Sequence, residues 1–306
     1  MSTNSIGSIV EKYTSRLDKI IECETCTTDL NMNRDLLGQF SGNGKIEIPS
    51  IAMDGLADHT RGKGFVRGGA ALTWEPYQLK YERDREFSID VMDDEEREMI
   101  VSANLMAEFA RTKVVPEVDA VRFAKIAASA GNTASADLTT ADGALSAVLT
   151  AEEAMQDVGK DLSDCLFYHS AKVKSLLRKA QAYRLGQGEN PNGIFKTFDE
   201  MKMINVPSAR FYSAIELLDG VTKTTDEGAV DETAGGYKKA STGKAVNFIV
   251  MAPEACAAIT KHEKLRYFSP DVNQSDDAHL WQYRLFHDLL TYLKKKGLIY
   301  VHLATA

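Results

Sequence analysis

IEIPSIAMDGLADHTRGKGF (residues 46–65), LTWEPYQLKYERDREFSID (72–90) and VMDDEEREMIVSANLMAEFARTKVVPEVDAVRFAKIAAS (91–129) form one passage of unusual make-up. Its first half alternates apolar and polar residues and carries charges of both signs. Leu72 and Trp74 keep a period of two on one arm, and Tyr77, Leu79 and Tyr81 on the other. Phe87 and Ile89 resume that period, so the spacing predicts two long antiparallel strands over Ile46–Asp90. Gly62, Gly64, Gly68 and Gly69 weaken any regular strand and mark the tip. The cluster lacks the Gly-Lys-Ser/Thr ending and the strand-turn-helix setting of a phosphate-cradling loop.

The second half predicts the longest helix. Asp93-Asp94-Glu95-Glu96 supplies a cap and further acids where the helix dipole favours negative charge. Met99, Ala103, Met106, Ala110 and Val114 form its apolar stripe, and Arg111 and Lys113 suit its far end. Pro116 either kinks this helix or starts a new one, whose buried face holds Val118, Val121 and Ile126. A dipole-matched helix start explains the acid block better than a metal site does.

Working outward, residues 5–22 place Ile6, Val10, Tyr13, Leu17 and Ile20 at spacings of 4, 3, 4 and 3, an amphipathic helix. Thr27 to Gly44 is polar and irregular, so the first segment reads as an arm that docks elsewhere. Residues 129–142 (SAGNTASADLTTAD) read as a linker. Beyond it the pattern predicts a helix near 143–158, a buried strand Cys165–Tyr168 and a helix from Ser170 as N-cap to Tyr183. A second βα unit follows: strand Val246–Met251, then a helix from Pro253 to about Lys261. Leu218–Gly243 is acidic and glycine-rich and reads as a mobile loop. Near 280–290 helical and strand spacings compete; the aromatic content favours a strand. A last strand, Leu298–Leu303, follows the basic turn Lys294-Lys295-Lys296-Gly297.

The 306 residues are 44% apolar and 26% charged, the make-up of a globular chain large enough for one or two cores. A net charge of −8 argues against a sequence-reading nucleic-acid binder, which carries a basic footprint. No apolar run approaches the ~20 residues that span a bilayer. MSTNSIGSIVEKY lacks a signal region, so a cytosolic site of synthesis and residence is expected.

Chemistry is hard to find. Cys23-Glu24-Thr25-Cys26 has C-x-x-C spacing, open to redox or metal roles, but no second pair completes a site. Cys165 and Cys256 lie in apolar runs as small core residues. His59, His169, His262, His279, His287 and His302 form no metal motif. His169 follows a buried strand and is a candidate base, with Ser170 beside it better explained as a cap. No nucleophile elbow, Walker motif or H-E-x-x-H occurs.

Several phrases resemble one family, the major capsid proteins of tailed bacteriophages with the Hong Kong 97 capsid fold. They are Phe87-Ser88-Ile89-Asp90 with Met92-Asp93 and Glu95-Glu96, then Glu108–Lys125, then VPSARFYSAI at 206–215. KYTSRLDK (Lys12–Lys19) resembles the opening of that family's N-terminal arm. The resemblance implies an α+β, Hong Kong 97-type capsid fold. Its parts would be an N-terminal arm (1–45), an extended E-loop hairpin (46–90) and a P-domain spine helix (91–134). An A-domain with βα units (135–264) and P-domain C-terminal strands (265–306) would complete it.

By the same resemblance the chain would self-assemble through pentamers and hexamers into an icosahedral head enclosing double-stranded DNA. It would meet portal and scaffolding or decoration proteins, assemble in the bacterial host cytoplasm and end in the virion. No membrane, cofactor or enzyme activity is implied. Inter-subunit contacts would come from the E-loop residues Lys63, Arg67, Trp74, Tyr77, Tyr81, Arg83, Asp84, Arg85 and Glu86. Some members cross-link a hairpin lysine to an asparagine; Lys63 reads here as a solvated tip charge. The alternative is an encapsulin-like compartment with the same fold and an enzyme cargo.

Overall fold

The computed structural model describes residues 25–31, 45–59, 61, 65–92, 100–180, 185–190, 193–223 and 231–305. The expected N-terminal helix, the acid block at 93–96, Cys23 and Lys63 lie outside them. In chain order come β1 (Lys45–Met53), β2 (Ala70–Gln78), β3 (Tyr81–Asp90), α1 (Ile100–Phe109) and α2 (Val115–Ser129). Next are β4 (Asn132–Ser135), α3 (Ala141–Asp157), β5 (Leu166–Ser170), α4 (Ala171–Ala180), β6 (Leu185–Asn190), β7 (Gly193–Phe198) and β8 (Met201–Val206). Then follow β9 (Ile215–Leu217), β10 (Tyr237–Lys239), β11 (Val246–Met251), β12 (Cys256–Phe268), β13 (Ala278–Thr291) and β14 (Ile299–Leu303).

The hairpin is shorter than its alternation suggested. β1 and β2 pair antiparallel from Lys45↔Gln78 to Met53↔Ala70. β3 leaves them and joins an antiparallel sheet ordered β12-β13-β3. The period of two continues unbroken through Leu79, so nothing in the alternation betrays the change of partner.

Pro116 does not break the helix. Ala110–Val114 forms one π-helical turn that runs straight into α2, with the proline in the first turn. Proline cannot donate to the carbonyl four residues back, and a wider turn ahead of it absorbs the mismatch. The buried stripe holds where it can be described: Met106, Ala110, Val114, Val118, Val121 and Ile126 are all core residues.

Seven strands, ordered β4-β14-β11-β5-β8-β7-β6, form the larger sheet. Alternation along β5 sends Leu166 and Tyr168 to one face and Phe167 to the other. The first face packs on Phe123 and Ile126 of α2; the second packs on α3 and α4 through Val148, Met155, Val173 and Leu177. A third cluster sets Met106, Ala110, Val114 and Val118 against Leu265, Trp281, Tyr283 and Leu285 of the β12–β13 pair. One continuous helix therefore serves two cores.

Several expectations are corrected. Pro253 starts only a single 3-10 turn, Pro253–Ala255, after which the chain is strand β12 and not a helix. Twelve residues of β12 pair with β13, and that ladder overrides the helix signal of the proline. Only one full βα unit, β5–α4, remains. The 129–142 linker contains strand β4, which pairs parallel to β14. Gly131 makes that edge possible, since a Cβ there would stand 2.6 Å from the Lys296 carbonyl oxygen. The ends of the Leu218–Gly243 loop are held by the short β9–β10 ladder. The last strand, β14, sits inside the seven-stranded sheet and not beside β13.

Two buried polar centres tie these pieces together. Asp119 on α2, fully buried, accepts from the Cys26 amide (3.0 Å), the Thr27 hydroxyl (2.9 Å) and Arg210 (3.2 Å). Arg122 donates to the same Thr27 hydroxyl at 2.8 Å. Burial lowers the Arg122 pKa, and the Asp119 charge opposes that shift. Removing the acid leaves a buried guanidinium without its counter-charge. Asp119→Ala is expected to destabilise the unassembled subunit by about 3–5 kcal/mol in chemical denaturation; a loss no larger than that of a surface substitution would refute this role.

His287, almost wholly buried on β13, is pushed down to about 3 by burial, then by the nearby charges of Arg122, Lys125 and Arg83. Its ring stacks on Tyr81 at 6.0 Å. Unfolding restores an ordinary pKa of ~6.5, so between those values the unfolded chain binds the extra proton. Stability thus falls as pH drops from about 6.5 toward about 3. His287→Gln is expected to flatten that slope between pH 7 and pH 5 in melts of the unassembled subunit. An unchanged slope would exclude His287 as its source.

Candidate assembly surface

The described side chains of the hairpin β1–β2 beyond its root are exposed. Met53, Leu56, Phe65, Val66, Leu72 and Trp74 are all exposed, Trp74 at 56% and Phe65 at 93%. The other tryptophan, Trp281, is 9% exposed within the helix-on-sheet core. Across the tip, Asp54 accepts from the Gly69 amide at 2.6 Å and donates its own amide to the Gly69 carbonyl at 3.1 Å. Arg67 is exposed nearby.

The root of the hairpin is fastened. Ile46 and Leu79 are buried with Ala257, Ile259 and Leu290. Tyr77 donates to the Leu289 carbonyl (3.0 Å) and lies 3.3 Å from the Asp288 carboxylate. Lys125 of α2 donates to the Tyr77 oxygen (2.8 Å), pairs with Asp288 and stands over the rings of Tyr77 and Tyr81 at 5.4 and 5.0 Å. The Lys80 and Leu289 amides complete the shell around Asp288. Burial raises the Tyr77 pKa, and the Asp288 charge raises it further; burial lowers that of Lys125 against the pull of Asp288.

The charges beyond the root follow β3 into its sheet. Arg83 pairs with Glu117 at 2.6 Å and donates to the Gly236 carbonyl at 3.2 Å. Arg85 donates to the Thr233 carbonyl at 3.2 Å, Glu86 accepts from Gln282 at 2.6 Å, and Glu82 pairs with Arg284. Asp84 is exposed. Of the E-loop residues read from the sequence, Tyr77, Tyr81, Arg83, Arg85 and Glu86 thus contact their own chain. For Tyr81, Arg83, Arg85 and Glu86 these contacts come from the place of β3 in the β12-β13-β3 sheet, and for Tyr77 from the hairpin root. Trp74 and Arg67 retain the exposure expected of a contact.

The sequence reading missed Lys125 and Asp288. A lone acid inside the apolar run Phe286–Leu290 was the available signal, but its partner lies 163 residues away.

Among the described residues the chemical candidates read from the sequence form no catalytic constellation. His169 is fully buried and pushed down to about 4 by burial, and Ser170 caps α4 through the Val173 amide at 3.4 Å. Cys26, Cys165 and Cys256 are free thiols pushed up to about 12, 11 and 12, chiefly by burial, and so stay protonated. Among the described residues no group of three His, Cys, Asp or Glu could hold a metal ion, and no helix is long and apolar enough to cross a membrane.

No family model and no curated protein matches the sequence. Solved structures do match the fold. The capsid of cyanophage P-SCSP1u aligns over 90% of this chain and 87% of its own, at 13% identity and a TM-score of 0.58. The mature capsid of bacteriophage PhiM1 aligns over 86% and 82%, at 13% identity and 0.57. A virus-like particle from Pyrococcus furiosus aligns over 96% and 99%, at 12% identity and 0.53. The likeness drawn from Phe87–Lys125 is thereby met in three dimensions: this chain has the α+β fold of the phage capsids, of the Hong Kong 97 type.

Proposed function

We propose that the chain is the major capsid protein of a tailed bacteriophage, assembling through pentamers and hexamers into an icosahedral head around double-stranded DNA. Its role is structural, and its place is the virion. The observation that carries this reading is the hairpin: fastened at its root by Asp288 and Lys125, it holds six large apolar side chains in solvent. A monomeric protein gains nothing from such an arm, whereas a neighbouring copy can bury it. The division into N-terminal arm, E-loop, P-domain and A-domain is proposed with it, the E-loop now ending at Gln78 and the last strand lying with the A-domain sheet. A compartment for protein cargo has the same fold; the phage phrases at 87–125 favour the head.

Negative-stain imaging of the purified protein is expected to give uniform shells, sheets or hexamers. Small globular particles under all salt and protein concentrations would remove the proposal. Within the assembly, Trp74→Ala is expected to leave the circular dichroism of the subunit unchanged while weakening each contact by about 2 kcal/mol, enough to abort closure. Full particle yield from that variant would take Trp74 out of the interface.

A further inference from the structure

The two faces of the β1–β2 hairpin are unlike. Side chains alternate along a strand, so the pairing of Met53 with Ala70 and of Ala52 with Ala71 fixes which residues share a face. Met53, Leu72 and Trp74 share one, and all three are exposed. Ile46 and Tyr77 share the other, and through them the root packs on Ala257, Ile259 and Leu290. Beyond the root that second face carries Ala52, Ala71 and Thr73, which are small. The large apolar side chains therefore stand on the face opposite to the one that fastens the root.

The two edges are closed to a further strand. The Asp54 amide donates to the Gly69 carbonyl at 3.1 Å. Counting back in twos from that bonded pair, the pairs left between, Pro49↔Trp74 and Glu47↔Pro76 among them, point their backbone groups outward. Proline has no amide hydrogen to offer there. The outer edge of β1 thus lacks a donor at Pro49, and that of β2 lacks one at Pro76. A strand added at either edge would lose a ladder bond and meet a proline ring.

With both edges closed, one apolar face remains for a partner. Nine residues at ~3.4 Å each, two strands wide, give it roughly 300 Å². A separate protein held by this face alone would fall short of the ~800 Å² a side that a stable complex buries. A copy of the same chain gains the rest from its other contacts in a closed assembly. Resting on the shell reading above, we infer that a second copy covers the Met53–Leu72–Trp74 face, side chain against side chain, and adds no strand to the hairpin.

The test uses the full chain, purified alone, and two variants. Met53→Lys with Leu72→Glu charges the apolar face; Ala52→Lys with Ala71→Glu charges the opposite one. Both pairs leave the net charge and the two prolines as they are. The first is expected to lower particle yield about tenfold or more, and the second to give wild-type yield. Both are expected to keep the circular dichroism of the subunit. A strand joined at an edge sets its side chains beside both faces, so a loss in the second variant as large as in the first would overturn the inference. Wild-type yield from the first variant would overturn it too, as would lost circular dichroism, which assigns that face to the subunit's own fold. Each of these results leaves the shell reading in place while the wild type assembles. Failure of the wild type to assemble would remove the shell reading and this contact together.

Discussion

A single buried carboxylate holds the geometry of the molecule. Asp288 gathers the ammonium of Lys125, the hydroxyl of Tyr77 and the amides of Lys80 and Leu289. Those donors come from the long helix, the hairpin root and β13, which share no other polar junction of this density among the described residues. A buried ion pair contributes little net stability, because desolvation offsets most of the attraction. Its value lies in direction. Four donors around one carboxylate allow one arrangement of the three pieces, and every other arrangement leaves a buried charge unsatisfied. The hairpin therefore leaves the body at a fixed angle.

That fixed angle makes the exposed apolar arm useful. A loosely tethered arm would lose conformational entropy each time it met a neighbour, while an arm held at its root has already lost much of it. In the shell proposed above the individual contacts can then be weak, so misplaced subunits dissociate before a closed surface traps them. Repetition over many copies makes the whole stable where one contact is not. The two tryptophans divide along this line. Trp281 is enclosed by the subunit's own helix and sheet, and Trp74 stands in solvent.

What could be read in the sequence was whatever depends on near neighbours in the chain. The stripe Met106–Val114, the strand Val246–Met251 and the Ser170 cap all follow from local spacing, and the structure has each of them. Long-range choices escaped. The alternation through Ile46–Asp90 is one continuous signal, yet β2 and β3 pair with strands at opposite ends of the chain. Pro253 opens a helix by every local rule, and the ladder to β13 overrules it. The Lys125–Asp288 pair left no trace beyond an acid among leucines. Pairing across such distances is set by which surfaces fit, and one sequence does not state that.

The π-helical turn links these points. It lies within the stripe Met106, Ala110, Val114 and Val118, packed on the three-stranded sheet, ahead of Phe123 and Ile126, packed on the seven-stranded one. The two faces must point to different sheets, and a regular helix carries its stripe at a fixed angle per residue. One wide turn shifts that angle, and Pro116 behind it prevents the regular ladder from re-forming there. The two cores are thus fused through one helix. Sliding of one core on the other would break packing on both, so the body behaves as a single block. In the shell proposed above, adjustment between neighbours of different curvature then falls to the hairpin beyond its root, where β1 stays paired with β2 and the described side chains lie in solvent.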